Sequence, residues 1–311
     1  MLLKKPKFWD QTSNSLLSLT LLPISWLVLF FNKLKKLKKK IKFSTKVICV
    51  GNIYIGGTGK TPLAIEICKI LLKINKKPAF IKKNYKYVSD EIKLLGKTAR
   101  VFTDKNRSIS IKNSIKEGYN TVILDDGFQD AKIFKDFSFI CFNSTQLIGN
   151  GNIIPSGPLR DSLSSVKGAD CVFFNGEKNQ QFENILLKYN SKLDFIYYKY
   201  KPILDEEITK KNIIAFAGIG NPKNFFSLLK NENLNIKEFV EYPDHYNFSK
   251  KDLFFLKNKA KNNDCILLTT EKDFMRLKDN DKENIFQLKV LVEFNNESKL
   301  KNMLEKIYEN H

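Results

Sequence analysis

Histidine is nearly absent from this chain. Of 311 residues only two are His, at position 245 and at the terminal position 311. A multi-histidine metal centre is therefore excluded, and any catalytic imidazole must be His245. The five cysteines (49, 68, 141, 171 and 265) are odd in number, widely spaced and mostly set in apolar runs, with no Cys-x-x-Cys pair. That usage argues against a disulfide frame or a zinc site and suits a reducing compartment. Negative charge is also short: 33 Asp and Glu stand against 53 Lys and Arg, a net charge of +20. No internal repeat is visible. The length and the 42% hydrophobic content fit two ordinary globular domains.

The excess positive charge is concentrated near the start of the chain. Residues 1–46 carry eleven lysines against the single Asp10, whereas 11–32 hold no charged residue at all. Leu16 to Phe31 is apolar apart from Ser18, Thr20 and Ser25, and a lysine block (33, 35, 36, 38, 39, 40, 42) follows it. The run is marginal for a spanning helix, and Pro23 is expected to kink it. Lysines in place of a small-residue cleavage site argue against a secretory signal. Trp9 and Trp26 supply interfacial anchors, and the lysine bias places the bulk of the chain on the cytoplasmic side. The expectation is a membrane anchor over 1–43 with a polybasic flank that attracts an anionic lipid surface. No nucleic-acid partner is expected, because aromatic interleaving and a recognition motif are missing. No obligate protein partner is evident.

What the sequence does contain is a phosphate loop. Gly51 to Thr61 reads Gly-Asn-Ile-Tyr-Ile-Gly-Gly-Thr-Gly-Lys-Thr, after the apolar run Val47-Ile48-Cys49-Val50 and before a helical pattern from Pro62. Gly56, Gly57, Thr58 and Gly59 would let backbone N–H groups wrap an anion at a helix N-terminus. Lys60 is placed for the β- and γ-phosphates of ATP and Thr61 for Mg²⁺. Tyr54 stands where the strict pattern has Gly, so the loop is a variant. A second constellation, Thr121 to Gln129, is an apolar strand ending in Asp125 and Asp126. An acid at such a strand end holds the nucleotide's metal. Neighbouring strand residues face opposite ways, so both ligate only if the turn at Gly127 breaks the alternation. On the acceptor side the candidates are the Ser89-Asp90-Glu91 cluster and the Asp244-His245 pair, and Asp90 with His245 would make a base for a hydroxyl if folding brings them together.

Strand-like and helix-like segments alternate along the chain, which predicts a parallel sheet with covering helices. Strands are expected at 46–51, 78–82, 121–125, 137–142 and 170–175, then at 212–217 and 265–268. Helices are expected at 62–74, 222–230 and 299–308. A charged, weakly patterned stretch near 201–211 sets the boundary. The expected domains are thus a P-loop kinase-like domain over 44–203 and a smaller α/β domain over 204–311.

Six segments occur together in order: Gly-Asn-x-x-x-Gly-Gly-Thr-Gly-Lys-Thr-Pro at 51–62, Asp-Asp-Gly-Phe-Gln at 125–129, Gly-Pro-Leu-Arg at 157–160, Ala-Phe-Ala-Gly-Ile-Gly-Asn-Pro at 215–222, Pro-Asp-His at 243–245 and Thr-Thr-Glu-Lys-Asp at 269–273. This combination resembles the tetraacyldisaccharide 4'-kinase family of lipid A biosynthesis, over most of the chain. The resemblance implies two α/β/α domains and a kinase at the cytoplasmic face of the bacterial inner membrane. Its implied reaction moves the γ-phosphate of ATP, with Mg²⁺, to the 4'-hydroxyl of tetraacyldisaccharide 1-phosphate. It implies Asp90 as the base with His245 as its partner, and Lys60 on the phosphates. It further implies Tyr85, Gln129 and Arg160 around the nucleotide, and Thr61, Asp125, Asp126 and Asp161 around the metal.

Departures from the family pattern are visible too. The family's Ser-Arg-Gly-Tyr appears here as Lys83-Asn84-Tyr85, and the stretch to Asp90 is shortened. Ser89 and Ile92 flank Asp90-Glu91 where the family has Gly and Pro. Asp130 replaces a His, and Asp161 replaces a Glu. Two other readings are a partition-type membrane ATPase, against which Ile55 stands in place of that loop's extra lysine, and a nucleotide-binding scaffold without turnover.

Overall fold

The structure, a computed structural model, describes residues 5–11, 15–37, 39–57, 59–85 and 89–309. Its elements in chain order begin with α1 (Leu16–Lys36), β1 (Lys46–Gly51), α2 (Lys60–Lys73), β2 (Pro78–Lys83) and α3 (Ser89–Gly96). There follow β3 (Val101–Asp104), α4 (Arg107–Lys116), β4 (Thr121–Asp125), β5 (Phe137–Asn143), β6 (Cys171–Asn175), α5 (Gln180–Leu187) and β7 (Asp194–Ile203). The remainder comprises α6 (Glu206–Thr209), β8 (Asn212–Ala217), α7 (Pro222–Asn231), β9 (Ile236–Glu241), α8 (Lys250–Asn262), β10 (Cys265–Thr270), α9 (Glu271–Arg276), β11 (Ile285–Phe294) and α10 (Glu297–Glu309).

The chain forms two compact units that are not contiguous in sequence. The larger holds Lys5–Asn84, Thr98–Lys199 and the chain from Phe294 onward; the smaller holds Tyr85–Lys97 and Tyr200–Glu293. Segment 85–97 thus lies with residues beyond the 203/204 division expected from sequence, and α10 lies with residues before it. Thr121 Oγ1 and Tyr308 Oη, 2.7 Å apart, are one link that ties α10 to the larger unit.

In the larger unit the strand order is β3-β2-β4-β1-β5-β6-β7. Every pairing in it is parallel. Central strands of such a sheet are covered on both faces and so read as unbroken apolar runs. In β1, Val47 to Gly51 are all buried, and β4 is buried throughout. One core joins Val47, Cys49, Ile81 and Val122; another joins Ile140, Phe142, Val172 and Phe174 to Tyr54 and Leu159. Helix α2 buries Leu63, Ala64, Ile67, Cys68, Ile70 and Leu71, the stripe of an amphipathic helix. In the smaller unit the order is β11-β10-β8-β9, again parallel, with α7 residues in the core on one face and α8 residues in the core on the other. The expected α/β class with parallel sheets is the one observed.

Helix α1 is inside out relative to an ordinary surface helix. Ser18 Oγ donates to the Ser156 carbonyl at 2.8 Å, Ser25 Oγ to the Ile153 carbonyl at 2.7 Å, and Asn32 Nδ2 to the Arg160 carbonyl at 3.1 Å. These three residues recur every seven positions, which puts them on one side of the helix. Leu16, Leu19, Trp26, Leu27, Phe30 and Phe31 point to solvent instead. The helix runs through Pro23 as a single element from Leu16 to Lys36.

Candidate active site

Strand β1 lies between β4 and β5, where the order of strands reverses along the larger sheet. A crevice opens beyond the carboxyl ends of strands at such a point. The loop after β1 fills that position. Gly51 lets the chain pass Phe128, whose Cβ would lie 2.4 Å from an added side chain, and Gly59 takes a left-handed φ of 79° to start α2. Tyr54, where a strict loop has Gly, is buried and bridges to Leu159. The Ile55 N–H donates to the Pro158 carbonyl at 2.9 Å and the Arg160 N–H to the Ile53 carbonyl at 2.7 Å. The first half of the loop is therefore an extended stretch paired with the 157–160 segment. That pairing carries Arg160 to the site.

The two carboxylates diverge as soon as β4 ends. Asp125 is fully buried; its Oδ2 accepts from Thr61 Oγ1 at 3.1 Å and from Lys82 Nζ at 2.7 Å. Asp126 leaves the strand with φ of 59°, strained for a residue with a side chain, while its N–H still donates to the Val50 carbonyl. The reversal breaks the strand alternation and brings Asp126 to the other side of the loop. There Arg160 Nη1 donates to both carboxylate oxygens at 2.9 Å, and Lys60 Nζ lies 3.7 Å away. Arg107 Nη2 holds the Asp126 carbonyl at 2.7 Å. Burial alone would raise the Asp126 carboxyl, but Lys60, Arg160 and Lys82 overrule it and hold the group well below the carboxylate range. Burial lowers Lys60, with Arg160 and Lys82 adding repulsion. Phosphate oxygens would relieve that repulsion.

The Thr61–Asp125 pair suits Mg²⁺. Asp125 Oδ1 is buried and has no hydrogen-bond partner among the described residues. Among the described residues no group of three or more His, Cys, Asp and Glu is gathered for a metal. A magnesium site on a nucleotide needs none, since water and phosphate fill most of its octahedral positions.

A second polar cluster lies in the smaller unit, at the carboxyl ends of β8 and β10. Asp90, in the first turn of α3, is 1% exposed. Its Oδ1 accepts the Glu91 N–H at 2.9 Å, and its Oδ2 accepts Arg276 Nε at 2.8 Å. His245 Nδ1 lies 3.9 Å from the same Oδ2 and is itself buried, without a hydrogen bond among the described residues. His245 adopts φ of 56°, held by its N–H to the Gly218 carbonyl at 3.1 Å. Burial, with Lys272 and Arg276 adding, lowers the imidazole below its ordinary 6.5 against the opposing pull of Asp244 and Asp90. The ring is neutral near pH 7 and can accept a proton. Arg276 Nη1 also reaches the Gly218 carbonyl at 2.6 Å and Asp273 Oδ1 at 2.7 Å.

Comparison with known proteins follows the same lines. The model of the tetraacyldisaccharide-1-P 4'-kinase family matches residues 17–309. The chain belongs to that family. It is 42% identical to the tetraacyldisaccharide 4'-kinase of Pelagibacter ubique, over 99% of each chain. It is 36% identical to the enzyme of that name from Rickettsia akari, over 97% of this chain and 96% of the other. Among solved structures it resembles LpxK from Aquifex aeolicus in complex with ATP, with a TM-score of 0.72, 25% identity, and coverage of 94% of this chain and all of that one.

Within this tetraacyldisaccharide 4'-kinase family member, the structure brings together Thr61 with Asp125, and Lys60, Asp126 and Arg160. Asp90 and His245 are neighbours, a proximity that sequence could not establish. Gln129 Nε2 donates to the Asn52 carbonyl, on the phosphate loop. Tyr85 is half exposed. Asp161 goes elsewhere: its carboxylate takes Lys36 of α1 at 2.6 Å and the Ser162 N–H at 2.9 Å, and among the described residues it does not contact Thr61 or Asp125. Thr58 lies outside the described residues. Asp130, where the family has His, pairs with Arg107 at 3.3 Å. Sequence reasoning missed Lys82, Arg107 and Arg276, three cations each bound to a site carboxylate or its backbone. For Lys82 a signal existed: a lysine inside a strand expected to be buried on both faces requires a buried acid.

Proposed function

We propose that this chain is an ATP-dependent lipid kinase that transfers the γ-phosphate to the 4'-hydroxyl of tetraacyldisaccharide 1-phosphate. Family membership supports the reaction. The observation that carries it is the larger unit's constellation of Lys60, Thr61, Asp125, Asp126 and Arg160 at the sheet's switch point. In this reading the backbone N–H groups of Gly56, Gly57 and Gly59 and the α2 N-terminus take the phosphates, with Lys60 on the β- and γ-groups. Thr61 and Asp125 would hold the metal. Bound Mg²⁺ would offset charge on the phosphate oxygens as the bond to the leaving group lengthens. Arg160, whose Nη1 donates to both oxygens of Asp126, keeps that carboxylate turned to the loop, with Gln129 and Tyr85 contributing to nucleotide binding.

Asp90 and His245 are the proton-accepting pair. The 4'-hydroxyl gives its proton to Asp90, and the neutral imidazole beside it can take that proton on, leaving Asp90 ionised next to an imidazolium. The new bond joins the 4'-oxygen to phosphorus, and the bond to the ADP oxygen breaks.

Support for a membrane setting comes from α1. Its 21 residues are long and apolar enough to cross a bilayer. The seam of Ser18, Ser25 and Asn32 ties it lengthwise to segment 153–160 and favours a helix lying in the membrane surface with its apolar face in the acyl region. Lys33, Lys35, Lys39, Lys40 and Lys42 would meet anionic headgroups, and cytosolic ATP places the enzyme on the cytoplasmic face of the inner membrane.

The test is phosphate transfer from γ-³²P-ATP with Mg²⁺ to tetraacyldisaccharide 1-phosphate in detergent micelles, with a no-lipid control. Labelled lipid is expected. Lipid-independent phosphate release would replace the kinase with an ATPase, and neither signal would point to a scaffold.

A further inference from the structure

Lys82 is a cation built into the metal site. It sits in β2, is 5% exposed, and places Nζ 2.7 Å from Asp125 Oδ2, the oxygen that Thr61 also reaches. Strand β2 is paired to β4 through Pro78 to Ile81, so the sheet itself holds Lys82 beside Asp125. Around the loop the cations Lys60, Lys82 and Arg160 lie against the carboxylates Asp125 and Asp126, and Lys82 puts its positive charge on the very oxygen that Thr61 reaches. Without Lys82, Asp125 would stand as a buried carboxylate with a metal-ready oxygen. A bare divalent ion is repelled by the first arrangement and drawn to the second.

We infer that Lys82 makes metal entry conditional on the nucleotide, by neutralising Asp125 in the empty enzyme so that the divalent ion binds with ATP and not ahead of it. Phosphate adds negative charge beside Lys82 and lowers the barrier. Lys82 is thus a positioning residue that acts through Asp125. Its effect is on the order of binding. The inference rests on the assignment of Thr61 and Asp125 to the metal.

The experiment titrates Mn²⁺ alone into the full-length, nucleotide-free enzyme and follows loss of the free-ion EPR signal. Removing one positive charge a few ångströms from the metal, as in Lys82→Met, should tighten this binding by about tenfold or more. Affinity for Mn²⁺ with saturating ATP should change much less. Structural damage does not produce a gain of binding, so unchanged or weaker binding in the folded variant would overturn the inference. Lys82→Gln makes the same comparison should Lys82→Met fail to fold. In an Asp125→Asn background the gain should vanish; a gain that persists would also overturn it. The metal assignment fails separately: Asp125→Asn alone would then bind Mn²⁺ with ATP as the parent does.

Discussion

Asp126→Asn exposes how the phosphate loop is held before nucleotide binds. The substitution keeps the size of the side chain and the strained backbone but removes the charge that Arg160 grips at 2.9 Å through both oxygens and that Lys60 approaches at 3.7 Å. Hydrogen bonds to a charged partner contribute about 1.5–3 kcal/mol, and partial exposure of both side chains screens this one, so the net loss is about 2 kcal/mol. In a unit of this size that lowers the melting temperature by about 4–8 °C. The substitution makes the site more positive by one charge. ATP without metal should then stabilise the variant more than the parent, because the nucleotide's negative charge meets a larger surplus. Calorimetry of the full chain, read at the larger unit's transition with and without ATP, measures both quantities. A variant that melts with the parent, or that gains less from ATP than the parent does, would refute the electrostatic account of this loop.

Other outcomes follow from the same geometry. Asp90→Ala should cut transfer by about 10²–10⁴-fold, the range for a lost general base, with ATP affinity measured by titration unchanged. Lys60→Ala should lose ATP affinity and turnover together, checked by the same titration and the transfer assay. Burial, Lys272 and Arg276 hold His245 below 6.5, so the unfolded chain takes up its proton first as acid is added. Its contribution to stability is full above pH 6.5 and falls as pH drops from 6.5 through the folded value, and the acid limb of kcat/KM should lie below 6.5; a limb above 6.5 in the pH–rate profile would exclude His245 as a neutral partner. Replacing Phe30 and Phe31, both 56% exposed on α1, by Ser should weaken partition to anionic vesicles by about tenfold or more in a sedimentation assay.

Much of the sheet was legible because its central strands are apolar runs bounded by turns. The expected bounds of β1, β4 and β8 are those observed, and β2, β5 and β6 differ by one residue. Strands β3, β7, β9 and β11 escaped notice. Strands β7 and β11 are each ten residues long, with Lys199 and Lys201 at exposed positions of the first and Lys289 and Glu293 at exposed positions of the second, and in a lysine-rich chain that alternation looks like solvated loop. In α1 the interruptions Ser18 and Ser25 read as breaks in an apolar run, whereas they form the side that bonds to the protein. The phosphate loop and the acid pair were visible because spacing along the chain defines them. Arg276 was not, since it meets Asp90 from 186 positions away, and no local pattern records such a meeting. Likewise Asp161, expected at the metal, pairs with Lys36, a partner that only folding brings near.

The most direct test of the kinase assignment is the structure of the product. Tetraacyldisaccharide 1-phosphate incubated with the enzyme, ATP and Mg²⁺ should show by ³¹P NMR a second phosphomonoester coupled to the sugar proton at position 4', alongside the anomeric phosphate. A spectrum in which only inorganic phosphate and ADP appear, with the lipid unchanged, would contradict it.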